Sequence, residues 1–125
     1  MPMTTDFAQT IANAAVGNVS FTPAANVYAA LYSTVLDATG SGTEIVGNGY
    51  SRQEVVFSIT DGVATSDDAA VFTCSGNAWP RVRALAILDA STSGNMLFYQ
   101  NIAARNVKPG DSVNFDAGDI QIIIT

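Results

Sequence analysis

RVRALAILDA, residues 81–90, is the longest strand-like segment of the chain, and we expect the fold to be built around it. The segment is apolar on both faces, because Leu85 and Ile87 alternate with other apolar residues. A strand that faces water on one side carries polar residues at every second position, so this one is predicted to be covered on both sides. The small-residue run STSGN, residues 91–95, predicts a tight turn that Asp89 caps.

Two further segments share this pattern. VYAALY (residues 27–32) and IQIII (residues 120–124) are also apolar on nearly both faces. We expect each of the three strands to place one face in the core and the other against a neighbouring subunit. Arg83 is a charged residue inside the opening segment, and it is expected to form an ion pair within an assembly.

Short strands and turns fill the remainder of the chain after residue 26. Additional strand patterns are predicted at residues 44–50, 52–60, 69–75, 96–102 and 112–115. Asp61-Gly62 is the strongest turn signal, and Val55, Phe57 and Ile59 are predicted to point inward from segment 52–60. About eight closely spaced strands predict an all-β fold, an antiparallel β-sandwich or jelly-roll-like domain.

The strongest helical pattern lies at the N-terminus. Thr4 to Asp6 are good N-cap residue types, and Phe7 and Ile11 recur at helical spacing before a glycine stop. The sequence therefore predicts one short N-terminal helix. We divide the single globular domain into a helical arm, residues 1–18, that grips a neighbour, and a β-sandwich, residues 19–125.

Composition limits the classes of partner. The 125 residues are 48% hydrophobic and only 13% charged, with a net charge of −6. Either small polar residues cover the surface or part of the surface is buried against partners. The basic residues are scattered along the sequence, which disfavours nucleic acid: Arg52, Arg81, Arg83, Arg105 and Lys108. No apolar run is long enough for a membrane span, and no signal-peptide pattern is present.

Residue types that perform catalysis are scarce. Histidine is absent, no phosphate-binding glycine motif occurs, and nothing pairs Glu44 with Glu54 across a cleft. The single cysteine, Cys74, lies in an apolar run and is interpreted as a small buried hydrophobic residue. We predict a protein that is not an enzyme, with no catalytic residue and no cofactor.

Two weaker binding hypotheses remain open. Calcium would use Asp111, Asp116 and Asp119, but turn formation explains these aspartates without a metal, so no metal site is predicted. A sugar-stacking face would use aromatic residues that are more typical of a core or a subunit contact: Tyr28, Tyr32, Tyr50, Trp79 and Tyr99.

The order of several segments resembles a group of small virion proteins. FAQTIANAAVGNVSFTPAANVYAALYST (residues 7–34) is followed by GNGYSRQ (47–53), by a Trp strand ending in Asp-Ala with a Ser-Gly-Asn turn (79–95), and by Pro-Gly-Asp and Ala-Gly-Asp turns (109–119). This order is similar to that of tailed-bacteriophage structural proteins of the capsid decoration (cement) or tail-fibre-like type.

The resemblance implies a structural protein of the virion, made in the bacterial host cytoplasm. We expect a decoration protein on the outer surface of the phage head, where it stabilises the shell by bridging major capsid protein subunits. This interpretation is favoured because the chain lacks the long repeats and heptads of fibres. The alternative is a tail, tail-fibre or adaptor component that attaches to a host glycan receptor.

Partners follow from the same resemblance. We expect a homotrimer that binds the major capsid protein or another virion protein, without contact to nucleic acid or membrane. The candidate interface residues are Phe7, Ile11, Tyr28, Tyr32, Arg83 and Ile123.

Overall fold

The computed structural model describes residues 1–123, which form one helix followed by nine strands. The elements are α1 (Thr5–Val16), β1 (Val27–Tyr32), β2 (Gln53–Val55), β3 (Phe57–Thr60), β4 (Val63–Ser66), β5 (Ala70–Thr73), β6 (Val82–Leu88), β7 (Met96–Arg105), β8 (Ser112–Phe115) and β9 (Gln121–Ile123). The predicted all-β fold with one short N-terminal helix is confirmed. The last residue of the predicted segment 120–124 lies outside the described residues.

The strands form three antiparallel sheets, with the orders β2-β1-β6-β7, β3-β4-β9 and β5-β8. Strand β6, the predicted organising segment, lies inside the four-stranded sheet between β1 and β7. Leu85 is opposite Leu31 on β1 and Gln100 on β7. The turn at 91–95 joins β6 to β7, and both Asp89 carboxylate oxygens accept hydrogen bonds from Asn95, at 2.7 and 3.2 Å, as the capping prediction requires.

Both faces of β1 and β6 are buried within this one chain. One face of the pair belongs to the main core, which includes Leu31, Leu85, Ile87, Phe72 and Trp79. The other face, rich in alanine, is covered by Leu36 and Met96 of the same chain. The prediction that these two strands present a face to another subunit is therefore wrong. Strand β9 differs, because Ile122 is buried while Ile123 remains 55% exposed.

The first four residues hold α1 against β7. The Thr4 backbone N–H donates to the Leu97 carbonyl at 3.0 Å, and the Thr4 hydroxyl donates to the Met96 carbonyl at 2.8 Å. The same hydroxyl oxygen caps the helix by accepting the Phe7 N–H at 3.3 Å. The helix buries no residue fully, and its main aromatic contact is Phe7 against Phe98, with ring centroids 5.4 Å apart. The division at residue 18 stays a prediction.

The segment predicted as a single strand at 52–60 is divided between two sheets. It breaks at Val56, whose carbonyl accepts the Asp67 N–H at 2.8 Å, so β2 and β3 pair with different neighbours. Asp61 and Gly62 connect β3 to β4 with positive φ angles of 52° and 77°, which confirms the predicted hairpin turn. Ile59 lies on the same face of the sheet as the buried Ile122, but it is 74% exposed, so it has the predicted direction without the predicted burial.

The segment predicted as an edge strand at 44–50 is a loop with one isolated bridge, between Glu44 and Tyr32. Side-chain and backbone contacts fix this loop. The Asn48 carbonyl accepts the indole N–H of Trp79 at 2.9 Å, and a Cβ on Gly49 would lie 2.9 Å from the Thr73 carbonyl oxygen. Gly49 also has a φ of 85°, so glycine is required at this close approach.

Candidate functional site

The predicted interface residues lie on several different elements, and they differ in how exposed they are. Phe7 and Ile11 are half-buried on α1, Tyr28 is half-buried on β1, and Ile123 is exposed on β9. Arg83 is exposed on β6. For these five residues the interface role stays a prediction. The sixth, Tyr32, is only 6% exposed because the smaller core cluster surrounds it, so this side chain has almost no surface to offer a partner.

The densest polar contact network among the described residues centres on Arg52. Its guanidinium binds both carboxylate oxygens of Glu44, with N–O distances of 2.8 and 2.9 Å, and the two side chains are only 8% and 21% exposed. The Nη1 group of Arg52 donates to the carbonyls of Ala90 and Ser93 at 2.8 and 2.7 Å. Arg52 therefore connects the 44–50 loop to the turn between β6 and β7.

Tyr50 completes this network from the core side. Its hydroxyl donates to Glu44 at 2.6 Å and accepts the backbone N–H of Leu31 at 3.0 Å. Its ring lies parallel to Phe72 at a centroid distance of 6.0 Å. Because these polar groups have partners inside the chain, the network fixes the positions of the loops that it joins.

Burial and hydrogen bonding shift the pKa values in this network. Burial raises the pKa of Glu44, but hydrogen bonds from Arg52 and Tyr50 and the arginine charge outweigh it, so the pKa lies below its ordinary value. Burial and the hydrogen bond to Glu44 raise the pKa of Tyr50 well above its ordinary value. At neutral pH the pair is therefore an ionised carboxylate beside a neutral phenol.

We expect the free energy of unfolding to fall in acid partly through Glu44. Because the folded-state pKa of Glu44 lies below its ordinary value of 4.5, the ionised group contributes stability above that pH. This contribution is lost as the pH falls through the folded-state pKa. Glu44→Gln is expected to be less stable than wild type at neutral pH, with the difference narrowing in acid. Urea unfolding across pH measures this, and a difference that stays constant with pH would contradict it.

An apolar groove of about 230 Å³ opens between the three-stranded sheet and the β6–β7 hairpin. Its lining includes Phe57, Ile59, Ala64, Phe98 and Ile122. Ile59, Ala64 and Ile122 are opposite one another across β3, β4 and β9, so they share one face of the sheet. The groove is thus an uncovered continuation of the core face.

A second, polar cleft of about 350 Å³ lies at the N-terminal end of α1. Its lining includes Asp6, Thr10, Thr39, Asp89 and Asn95, together with the edge of Phe7. No lysine or arginine lines it. The cleft is therefore acidic.

Other candidate ligand groups have structural roles. Asp111 and Asp119 each accept a backbone N–H of their own turn, at 3.1 and 2.9 Å, as the turn interpretation predicted. Across residues 1–123 no three potential metal-ligating side chains come together. Cys74 is buried, which confirms its predicted place in the core. No helix in this part of the chain is long and apolar enough to cross a membrane.

The pairing of Arg52 with Glu44 was not predicted from the sequence, although the two residues flank the glycine-rich GNG segment at 47–49. A charged pair of opposite sign on either side of a glycine turn was the available signal.

Comparison with known proteins identifies the family of the chain. No curated protein matches the chain. Residues 2–123 match the family described as podophage GP4 fiber I protein gp80. The predicted resemblance to tailed-phage virion proteins is confirmed. Because the match spans nearly the whole chain, the protein belongs to the podophage GP4 fiber I protein gp80 family, a family of tailed-phage virion structural proteins.

Proposed function

We propose that the protein is a non-enzymatic subunit of a virion fibre, where it associates with further copies of itself and with other virion proteins. The single observation that carries this proposal is the family match over residues 2–123, since the family is named for a fibre protein. The fibre role is favoured over the capsid decoration role that the absence of long repeats and heptads suggested, because the matching family is named for a fibre protein.

Surface chemistry supports a role in assembly. The apolar groove beside Ile59 and the exposed Ile123 supply uncharged contact surface, and Val46 and Val56 are also more than half exposed. A chain with few ionic groups gains association energy mainly by covering such surface. The predicted homotrimer is a part of this proposal, and native mass spectrometry of the purified chain measures the copy number directly.

Recognition of a host glycan receives less support. Aromatic rings that stack on sugars must present a free face. Of the five aromatic residues considered for this role, Trp79 and Tyr32 are buried, and Tyr28, Tyr50 and Tyr99 are half-buried.

Copy number in the particle tests the fibre role. We expect quantitative mass spectrometry of purified virions to give far fewer copies of this chain than of the major capsid protein, and we expect immunogold labelling to mark fibres. A copy number comparable with that of the major capsid protein, with label over the head, would instead establish a decoration protein. Labelling with antibody against the major capsid protein is the internal control.

A further inference from the structure

A short stretch before the helix adds a further strand to the outer edge of β7. The Thr4 N–H donates to the Leu97 carbonyl at 3.0 Å, and the Tyr99 N–H donates to the Pro2 carbonyl at 3.1 Å. Of residues 1–26, only Thr4 is fully buried. The attachment of this region to the sheets is therefore concentrated in its first few residues.

The residues that follow the helix fold back onto the helix itself. The Val19 N–H donates to the Asn13 carbonyl at 3.1 Å. The Phe21 ring meets the Phe7 ring edge-on, with the centroids 6.1 Å apart. Residues 1–21 thus hold together through their own contacts, and we call them the N-terminal unit.

Five residues connect the N-terminal unit to β1. This hinge, residues 22–26, has the sequence TPAAN, contains no helix or strand, and is exposed throughout. Pro23 restricts its own backbone and favours an extended conformation at Thr22. Short hinges of this kind favour the exchange of the segment that they carry between identical chains.

We propose that the N-terminal unit of one copy docks on β7 of a second copy, in exchange for the second copy's own unit. The structure defines the occupant of the β7 edge, because the same backbone hydrogen bonds and the same contact of Phe7 with Phe98 form whichever copy supplies the unit. Each copy gives one unit and receives one, so the assembly closes as a pair or a ring.

Apolar side chains beside the hinge favour the exchanged form. Val16, Val19 and Phe21 lie within six consecutive residues, and they are 88%, 54% and 39% exposed. In a reciprocal exchange both hinges cross between the two copies side by side, so these residues come within reach of their counterparts. Covering them stabilises the exchanged form by contacts that the closed chain lacks.

The unit of the same chain competes with that of a second copy for the β7 edge. A short hinge keeps the unit near its own β7 at an effective concentration in the millimolar range. Exchange therefore depends on the contacts beside the hinge and on close spacing of copies, which a fibre supplies. The inference to this extent deepens the self-association within the proposed function, but the exchange is measured on the purified chain.

Disulfide trapping between two variants, each with one added cysteine, tests the exchange. Met3 is opposite Phe98, in an antiparallel pair whose hydrogen bonds lie on either side of it. The Cα atoms of such a pair are about 4.5 Å apart, a separation that a disulfide spans. Met3→Cys and Phe98→Cys are unfolded together, refolded at a series of concentrations and oxidised. Because neither chain carries both added cysteines, a disulfide between residues 3 and 98 joins two copies.

We expect a covalent dimer whose yield rises with concentration, and peptide mapping locates its disulfide. In the matched control Val71→Cys replaces Phe98→Cys, because Val71 is 43% exposed on β5 and pairs with β8. The control measures chance collision and should give at least about tenfold less dimer, the ratio expected for a contact worth about 1.4 kcal/mol. A chain that carries both Met3→Cys and Phe98→Cys verifies the pairing, and circular dichroism verifies that each variant is folded.

A second measurement uses no added cysteine. Sedimentation velocity of the full-length chain, at rising concentration, measures the dimer directly. Val16→Ser with Val19→Ser should weaken this dimer by about tenfold, because two exposed valines no longer gain from being covered.

Three results would overturn the proposal. A disulfide that forms within the doubly substituted chain, but not between the mixed chains above the Val71→Cys level, would mean that the unit docks only on its own chain. A doubly substituted chain without the disulfide would mean that Met3 does not pair with Phe98. A wild-type dimer that the two serines leave unchanged would exclude the contacts beside the hinge. None of these results changes the copy number in the virion, so the fibre role is tested separately.

Discussion

Arg52→Ala is expected to lower the free energy of unfolding by about 3 to 5 kcal/mol, the usual cost of removing one partner from a buried ion pair. The substitution leaves the Glu44 carboxylate, which is only 21% exposed, without its cation. It also removes the donors that satisfy the carbonyls of Ala90 and Ser93. Equilibrium urea unfolding, with matched slopes for both proteins, measures the loss.

Two other substitutions separate the contributions of charge and geometry. Arg52→Lys keeps the positive charge but loses the planar guanidinium that binds both oxygens of Glu44. It should therefore lower the free energy of unfolding, but by less than Arg52→Ala does. Glu44→Gln should also cost less than Arg52→Ala, because Arg52 still donates to the β6–β7 turn. A loss below about 0.5 kcal/mol for Arg52→Ala, as for a surface side chain, would contradict the assignment.

The same variant also affects the polar cleft at the start of α1. The turn that Arg52 holds supplies Gly94 and Asn95 to the wall of the acidic cleft. Gly94 has a φ of 77°, and a Cβ at this position would collide with the Asp89 carboxylate, so the turn fits closely against the cleft. Loosening this turn through Arg52 should therefore also disturb the wall of the polar cleft at the N-terminal end of α1.

Much of the fold was predictable because a strand buried on both faces is apolar at adjacent positions in the sequence. The 27–32 and 81–90 segments are apolar at adjacent positions, and both become interior strands of the four-stranded sheet. The break at Val56 could not be predicted in this way, because no change in the sequence pattern marks it. The period-2 alternation of Val55, Phe57 and Ile59 continues through it, although the strand leaves one sheet and enters another.

The charged features were harder to predict because they depend on strand register. Arg105 is placed opposite Val82 only because β7 extends beyond the predicted strand end at residue 102. Similarly, Arg52 reaches Glu44 only because the 44–50 segment is a loop instead of an edge strand. Long-range pairing, and not residue type, decides where these charges lie.

Phe72→Ala is expected to lower the free energy of unfolding by about 3 to 5 kcal/mol, the usual cost of a large cavity in a core. Phe72 is 1% exposed, and its ring lies parallel to Tyr50 and edge-on to Phe115 at 6.3 Å. It also packs in the cluster that unites β5 with the four-stranded sheet. Its removal therefore takes away the ring that packs against Tyr50, and so disturbs the hydrogen bond from the Tyr50 hydroxyl to Glu44.

The adjacent residue offers a matched control for this prediction. Val71 is on the same strand but is 43% exposed, so Val71→Ala should cost less than about 1 kcal/mol, the range of strand propensity. Chemical unfolding of both variants measures the two costs. Because a domain of this kind has only about 5 to 15 kcal/mol of stability, Phe72→Ala should leave a measurably unfolded fraction at moderate temperature. Equal losses for the two variants would mean that the core between the sheets does not determine the stability of the fold.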